Sequence, residues 1–154
     1  MRVLVVDDEA QSLEFIVRSL EPGDFDLMCF SDVPPALKYM LKHPIDVAVI
    51  DFQLRGPNGL AFAAKIHHVQ PACTIVMVSH YAGLADMQRG FAVQVDDFVS
   101  LPCSSAALLK RVNDAIAPVQ KADRNERKSL DPATVLCFLD FDPDDRTIDC
   151  AASG

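Results

Sequence analysis

Residues 1–11 read MRVLVVDDEAQ, and this opening decides the architecture. Val3, Leu4, Val5 and Val6 form an apolar run of strand length, unbroken by polar positions, which suits a strand buried on both faces. Three acids, Asp7, Asp8 and Glu9, follow at once. Adjacent carboxylates at the end of a buried strand resist desolvation and raise each other's pKa. Such a cluster is unfavourable until something neutralises it.

Outward from this stretch the chain alternates strand and helix. Leu13, Ile16, Val17 and Leu20 recur at helical spacing within residues 11–20, and Pro22-Gly23 stops that helix. Residues 26–30 read as a second strand and 33–41 as a short helix ended before Pro44. IDVAVI, residues 45–50, is a continuous buried strand that terminates on Asp51. A loop with Gly56, Pro57, Asn58 and Gly59 leads to a helix over 60–69, closed by Pro71. Residues 73–78 form a fourth strand ending on Ser79, 83–91 a helix, 95–99 a fifth strand, and 104–116 a final amphipathic helix.

Near-continuous apolar strands in this order belong to a parallel sheet covered on both faces, and right-handed crossovers make it doubly wound. Ligands of such sheets sit outside the carboxyl ends of the strands. Asp7 and Asp8, Asp51, Ser79 and the segment near Leu101 all fall there. Capping of the first helix by Asp7 or Asp8, with Asp51 starting a turn, would use the same residue types. Three acids from two strand ends exceed what capping needs. A hard divalent cation with oxygen ligands and several waters, Mg2+ above all, would neutralise them.

The 154 residues suffice for one domain with a short appendage, and half of them are hydrophobic, so the chain is globular. A formal charge of −8 argues against a nucleic-acid surface. The apolar runs are strand-sized, so no membrane span or secretory signal is expected. The five cysteines show no CxxC spacing and read as reduced thiols of a cytoplasmic protein.

Four spaced segments, VVDDE (5–9), VIDFQLRGPNGL (49–60), VMVSH (76–80) and DDFVSLP (96–102), resemble in order the receiver domain of two-component response regulators, the CheY-like family. The resemblance covers residues 1–118 and implies a five-stranded flavodoxin-like sheet of order 2-1-3-4-5. It implies that Asp51 accepts a phosphoryl group, while Asp7, Asp8, Asp51 and the backbone carbonyl of Gln53 hold Mg2+. Ser79 would hydrogen-bond a phosphoryl oxygen, and Phe98 would stand at the aromatic switch position. The implied partners are a sensor histidine kinase or phosphotransfer protein and a downstream target, with no nucleic acid or membrane. A homodimer through the fourth helix, fifth strand and last helix would use Met87, Phe91 and Val95, residues that equally suit a core. Such a protein is a phosphoryl acceptor, not a turnover enzyme.

The chain departs from that pattern in ways that bear on chemistry. Leu101 stands before Pro102 where the family places Lys, removing a charge-assisted contact of about 1.5–3 kcal/mol. Three acids without that cation should raise at least one carboxylate pKa. Arg55, four residues after Asp51, is a possible substitute, but a solvated loop residue is expected. His80 replaces a small residue, either obstructing the acceptor, contacting a phosphoryl oxygen or lying exposed. Phe98 lacks a hydroxyl and should stay inward. Gln94-Val95 replaces a usual Gly-Ala pair. Two functions therefore stay open: a phosphorylated receiver with altered switching, and a phosphorylation-independent pseudo-receiver acting as a protein-interaction module.

A flavin carrier would need backbone donors after the first strand, where this chain has DDEAQ, and a dinucleotide site would need G-x-G-x-x-G. Residues 119–154 read as a charged linker followed by a short extension of unknown role. The acids at 140, 142 and 144 lack the Gly and Glu of a calcium loop. Cys103, at a helix start, could carry a depressed thiol pKa, though an inert small residue is expected.

Overall fold

In the computed structural model, residues 1–56, 58–80, 83, 88–90 and 92–117 are described. The apolar runs become β1 (Arg2–Val6), β2 (Asp26–Phe30), β3 (Val47–Asp51), β4 (Thr74–Ser79) and β5 (Asp97–Ser100). The periodic segments become α1 (Ala10–Leu20), α2 (Val33–Met40), α3 (Gly59–Val69) and α4 (Ser105–Ile116). All strand pairs are parallel, in the order β2-β1-β3-β4-β5. This is the doubly wound sheet expected from the resemblance. The helix expected over 83–91 falls largely outside the described residues, although positions 88–90 are helical. Met87, Phe91 and the extension 119–154, with its acids and Cys137 and Cys150, lie outside them as well.

Two apolar layers sandwich the sheet, because successive strand residues face opposite ways. Leu4, Val6, Ala48, Ile50, Ile75 and Met77 face α2 and α3. Val3, Val5, Val47, Val49, Val76 and Val78 face α1 and α4, packing on Ile16, Leu20, Leu108 and Val112. β1, β3 and β4 are thus spent on both faces, which leaves their carboxyl ends as the place where polar residues project. Among the described residues, no helix is long and apolar enough to cross a membrane.

Several boundaries differ from the sequence expectation for identifiable reasons. β3 begins at Val47, not Ile45, because the Ile45 N–H donates to Gln70 Oε1 (2.7 Å) and Asp46 Oδ2 accepts the Arg2 N–H (2.7 Å). Gln70 Nε2 also donates to the Met40 and His43 carbonyls, stapling two loops at the amino end of the sheet. β5 begins at Asp97, not Val95, because the Val95 N–H closes a turn onto the Gly90 carbonyl. That turn places Gln94 at φ +66°, a left-handed backbone that glycine adopts without strain. Caps set the helix starts: Asn58 Oδ1 accepts from the Ala61 N–H, and Ser104 Oγ from the Ala107 N–H. Val95, considered for a dimer face, is buried in the core.

Candidate functional site

The parallel registers bring the carboxyl ends of β1, β3 and β4 into one rim: Val6 lies beside Ile50, and Asp51 beside Val78. Asp7 and Asp8 follow β1 directly and Asp51 ends β3, so three carboxylates reach a common point. Each offers an oxygen within 4.8 Å of the others. Asp7 is buried, while Asp8 and Asp51 are part-exposed.

Neither Asp7 nor Asp8 caps α1. Glu9 occupies the cap position without a side-chain bond, while Asp7 Oδ1 accepts the Glu9 N–H at 2.8 Å. Asp7 Oδ2 is buried without a hydrogen-bond partner. An orphaned oxygen on a carboxylate that meets two further acids is the arrangement that a hard cation satisfies. The donor set therefore fits Mg2+: three carboxylate oxygens meet on an open rim where water can complete the coordination.

Electrostatics follow the geometry. Burial raises the Asp51 carboxyl to about 6, with the Asp7 and Asp8 charges adding to the rise. The Gln53 N–H and the charge of His80 oppose it. Asp7 is also raised, chiefly by burial, against the Ser12 hydroxyl and the Glu9 N–H. The expected rise in at least one carboxylate is thus present in two.

The loop after Asp51 is tightly turned. The Phe52 N–H donates to the Val78 carbonyl and the Gly59 N–H to the Phe52 carbonyl. A Cβ on Gly59 would run into the Asp51 carbonyl oxygen and the Phe52 backbone, so α3 packs this close to β3 only through glycine. Gln53 is exposed in this loop. Arg55 is solvated as expected, its side chain 89% exposed, and it also reaches Asp8, with Nε 3.0 Å from Asp8 Oδ2.

The other candidates surround the rim differently. Ser79 is buried at the end of β4. His80 is exposed and borders a cavity of about 230 Å³ with Glu9, Ser12, Phe15, Leu101 and Pro102. Leu101 is buried in the α1–α4 layer with Val99 and Leu108, so it serves packing. Phe98 points inward at 5% exposure, its ring centroid 6.4 Å from that of Phe52. The ring lies so close over Gly90 that a Cβ there would collide with it. Cys103 is a free thiol whose pKa burial raises rather than lowers, matching the inert role expected of it. The Gly90 cradle was not visible in the sequence, since it follows from neither residue type nor spacing; Arg55 was singled out there as a substitute cation, but its specific contact with Asp8 was not.

A family model described as "Response regulator receiver domain" matches residues 3–113. The heme response regulator HssR of Staphylococcus saprophyticus is 26% identical over 109 residues, covering 71% of this chain and 48% of that protein. The regulatory protein VanR of Enterococcus faecium is 26% identical over 122 residues, covering 78% and 52% respectively. The chain thus spans about half the length of these two relatives. Among solved structures, a CheY-like receiver domain protein from Methanospirillum hungatei superposes with a TM-score of 0.72 at 21% identity, covering 79% of this chain and 97% of that one. A response regulator from Burkholderia pseudomallei, solved with a phosphorylated aspartic acid, calcium ion and citrate, gives 0.68 at 20% identity, covering 81% and 71%.

Proposed function

This chain belongs to the response regulator receiver domain family, and on that footing we propose that it accepts a phosphoryl group on Asp51 in a two-component relay. The observation that carries the reading is the meeting of Asp7, Asp8 and Asp51 within 4.8 Å, with one buried oxygen of Asp7 left unpartnered. In this reading Asp7, Asp8, Asp51 and the Gln53 carbonyl hold Mg2+. The bound ion would offset the repulsion between an anionic acceptor and an anionic donor. An Asp51 oxygen attacks phosphorus in line; the new O–P bond forms as the donor's bond to phosphorus breaks, and the leaving group departs with its electron pair. With its carboxyl at about 6 in the metal-free pocket, Asp51 is mostly ionised at neutral pH, and a bound cation would hold it ionised for attack. The Ser79 hydroxyl donates to a phosphoryl oxygen, and His80 adds positive charge beside the acceptor.

The partners in this reading are a sensor histidine kinase or phosphotransfer protein as donor and a downstream protein as target. The chain acts as an acceptor that assists its own phosphorylation and hydrolysis, not as a turnover enzyme. Leu101, His80 and Phe98 motivated a phosphorylation-independent alternative, but none of them leaves the acid rim incomplete.

Incubation with Mg2+ and acetyl phosphate, followed by intact-mass analysis, tests the proposal. One added phosphoryl group is expected on the wild type and none on Asp51→Asn. No adduct on the wild type at saturating donor, with beryllofluoride also failing to bind, would refute it.

A further inference from the structure

Arg55 stands where three local features aim it. Leu54 is anchored in the core beside α3, and Gly56 turns the backbone through φ +88°. Between them the Arg55 side chain leaves the loop toward the end of β1, where Nε reaches Asp8 Oδ2 at 3.0 Å. Asp8 is one of the three carboxylates that meet at the rim. The pair is single-point, and the guanidinium side is almost fully exposed, at 89% against 16% for Asp8.

We propose that Arg55 is the resident counter-ion of the metal-free pocket and competes with Mg2+ for Asp8, setting the metal concentration at which the site fills. The inference rests on the proposed Mg2+ site. A buried, bidentate arginine would block the rim; an exposed contact through Nε alone is weak and exchanges readily. A divalent ion that gathers all three carboxylates displaces it. Without metal, the guanidinium charge beside Asp8 lowers the repulsion among the three acids. With metal, Asp8 changes partner and the guanidinium is released to solvent. Because exposed ion pairs are weak, the competition amounts to about fivefold or less in Mg2+ affinity, and it shrinks with added salt.

The full chain, labelled with 15N, is titrated with MgCl2 from an EDTA-treated start, following the Arg55 Nε–H and the backbone amides of Asp7, Asp8 and Gln53. The Nε signal is assigned by its loss in Arg55→Lys. The expected result is that Arg55 Nε–H moves along the same isotherm as the Asp8 amide. Calorimetry should then give Arg55→Ala an affinity for Mg2+ about two- to fivefold tighter than wild type. If the amides move while Arg55 Nε–H stays fixed, or if Arg55→Ala binds Mg2+ no more tightly, the competition is overturned and the metal site stands. If no amide responds to Mg2+, the metal site itself fails and the inference falls with it.

Discussion

Replacing Asp51 by Asn should stabilise the metal-free protein, against the usual expectation for a change at a functional site. Burial and the charges of Asp7 and Asp8 raise the Asp51 carboxyl from 3.8 to about 6. The folded chain therefore holds that proton more tightly than the unfolded chain. Stability is present while the group is protonated and is lost as pH rises from about 3.8 to about 6. At neutral pH the loss is at most about 3 kcal/mol, since one pH unit corresponds to about 1.4 kcal/mol. Asp51 is half-buried, so solvent screening reduces this to roughly 1.5 kcal/mol. Asparagine keeps the shape and removes the charge. In EDTA at pH 7.5, Asp51→Asn should melt roughly 5–8 °C above wild type for a domain of this size. The gain should shrink toward zero at pH 4, where the wild-type group is already largely protonated. Saturating Mg2+ should reverse the order, because at a hundredfold excess over Kd binding stabilises the wild type by about 2.7 kcal/mol and the variant has lost a ligand. Scanning calorimetry or circular dichroism melts at the two pH values decide the matter. A Tm for Asp51→Asn at or below wild type in EDTA at pH 7.5 would refute the electrostatic account of the rim.

Mg2+ affinity should fall as pH drops below about 6, by roughly tenfold per pH unit for each proton that must leave, because Asp51 and Asp7 both bind metal only when ionised; calorimetric titrations between pH 5 and 7.5 measure the slope, and a flat profile would exclude these acids as ligands. Gly90→Ala should cost about 1–3 kcal/mol in urea denaturation, because the added methyl collides with the Phe98 ring. Combining it with Phe98→Leu should recover part of that loss, and strict additivity would show that the ring is not the cause. Gln94→Gly should stabilise the fold by up to about 1 kcal/mol by relieving the left-handed backbone at φ +66°, unless the denaturation midpoint stays unchanged.

The sheet was legible because its signals are local and redundant. Val3–Val6 and Val47–Ile50 are apolar at every position, so their burial on two faces needs no knowledge of neighbours. The convergence of Asp7, Asp8 and Asp51 was legible too, since topology alone places strand ends together. Boundaries failed where a side chain from elsewhere took a backbone partner: Gln70 claims the Ile45 N–H, and Asp46 claims that of Arg2. The Arg55 contact with Asp8 was not fixed by the sequence for a related reason. Its reach to Asp8 depends on the loop path set by Leu54 and Gly56, and residue type alone favours a solvated arginine. The Gly90 cradle depends on the Phe98 rotamer, which spacing does not encode.

Leu101 connects these observations. Its position carries no charge toward the rim, because the residue packs with Val99 and Leu108 in the α1–α4 layer. Positive charge reaches the rim instead from Arg55 and His80, both on exposed loop positions. Exposed cations are screened by salt. The charge balance of the rim is therefore set more by ionic strength, and through the raised Asp51 by pH, than by a buried side chain. A receiver built this way should respond to its ionic surroundings, and Asp51, with its carboxyl at about 6, lies where such changes have the largest effect on its protonation.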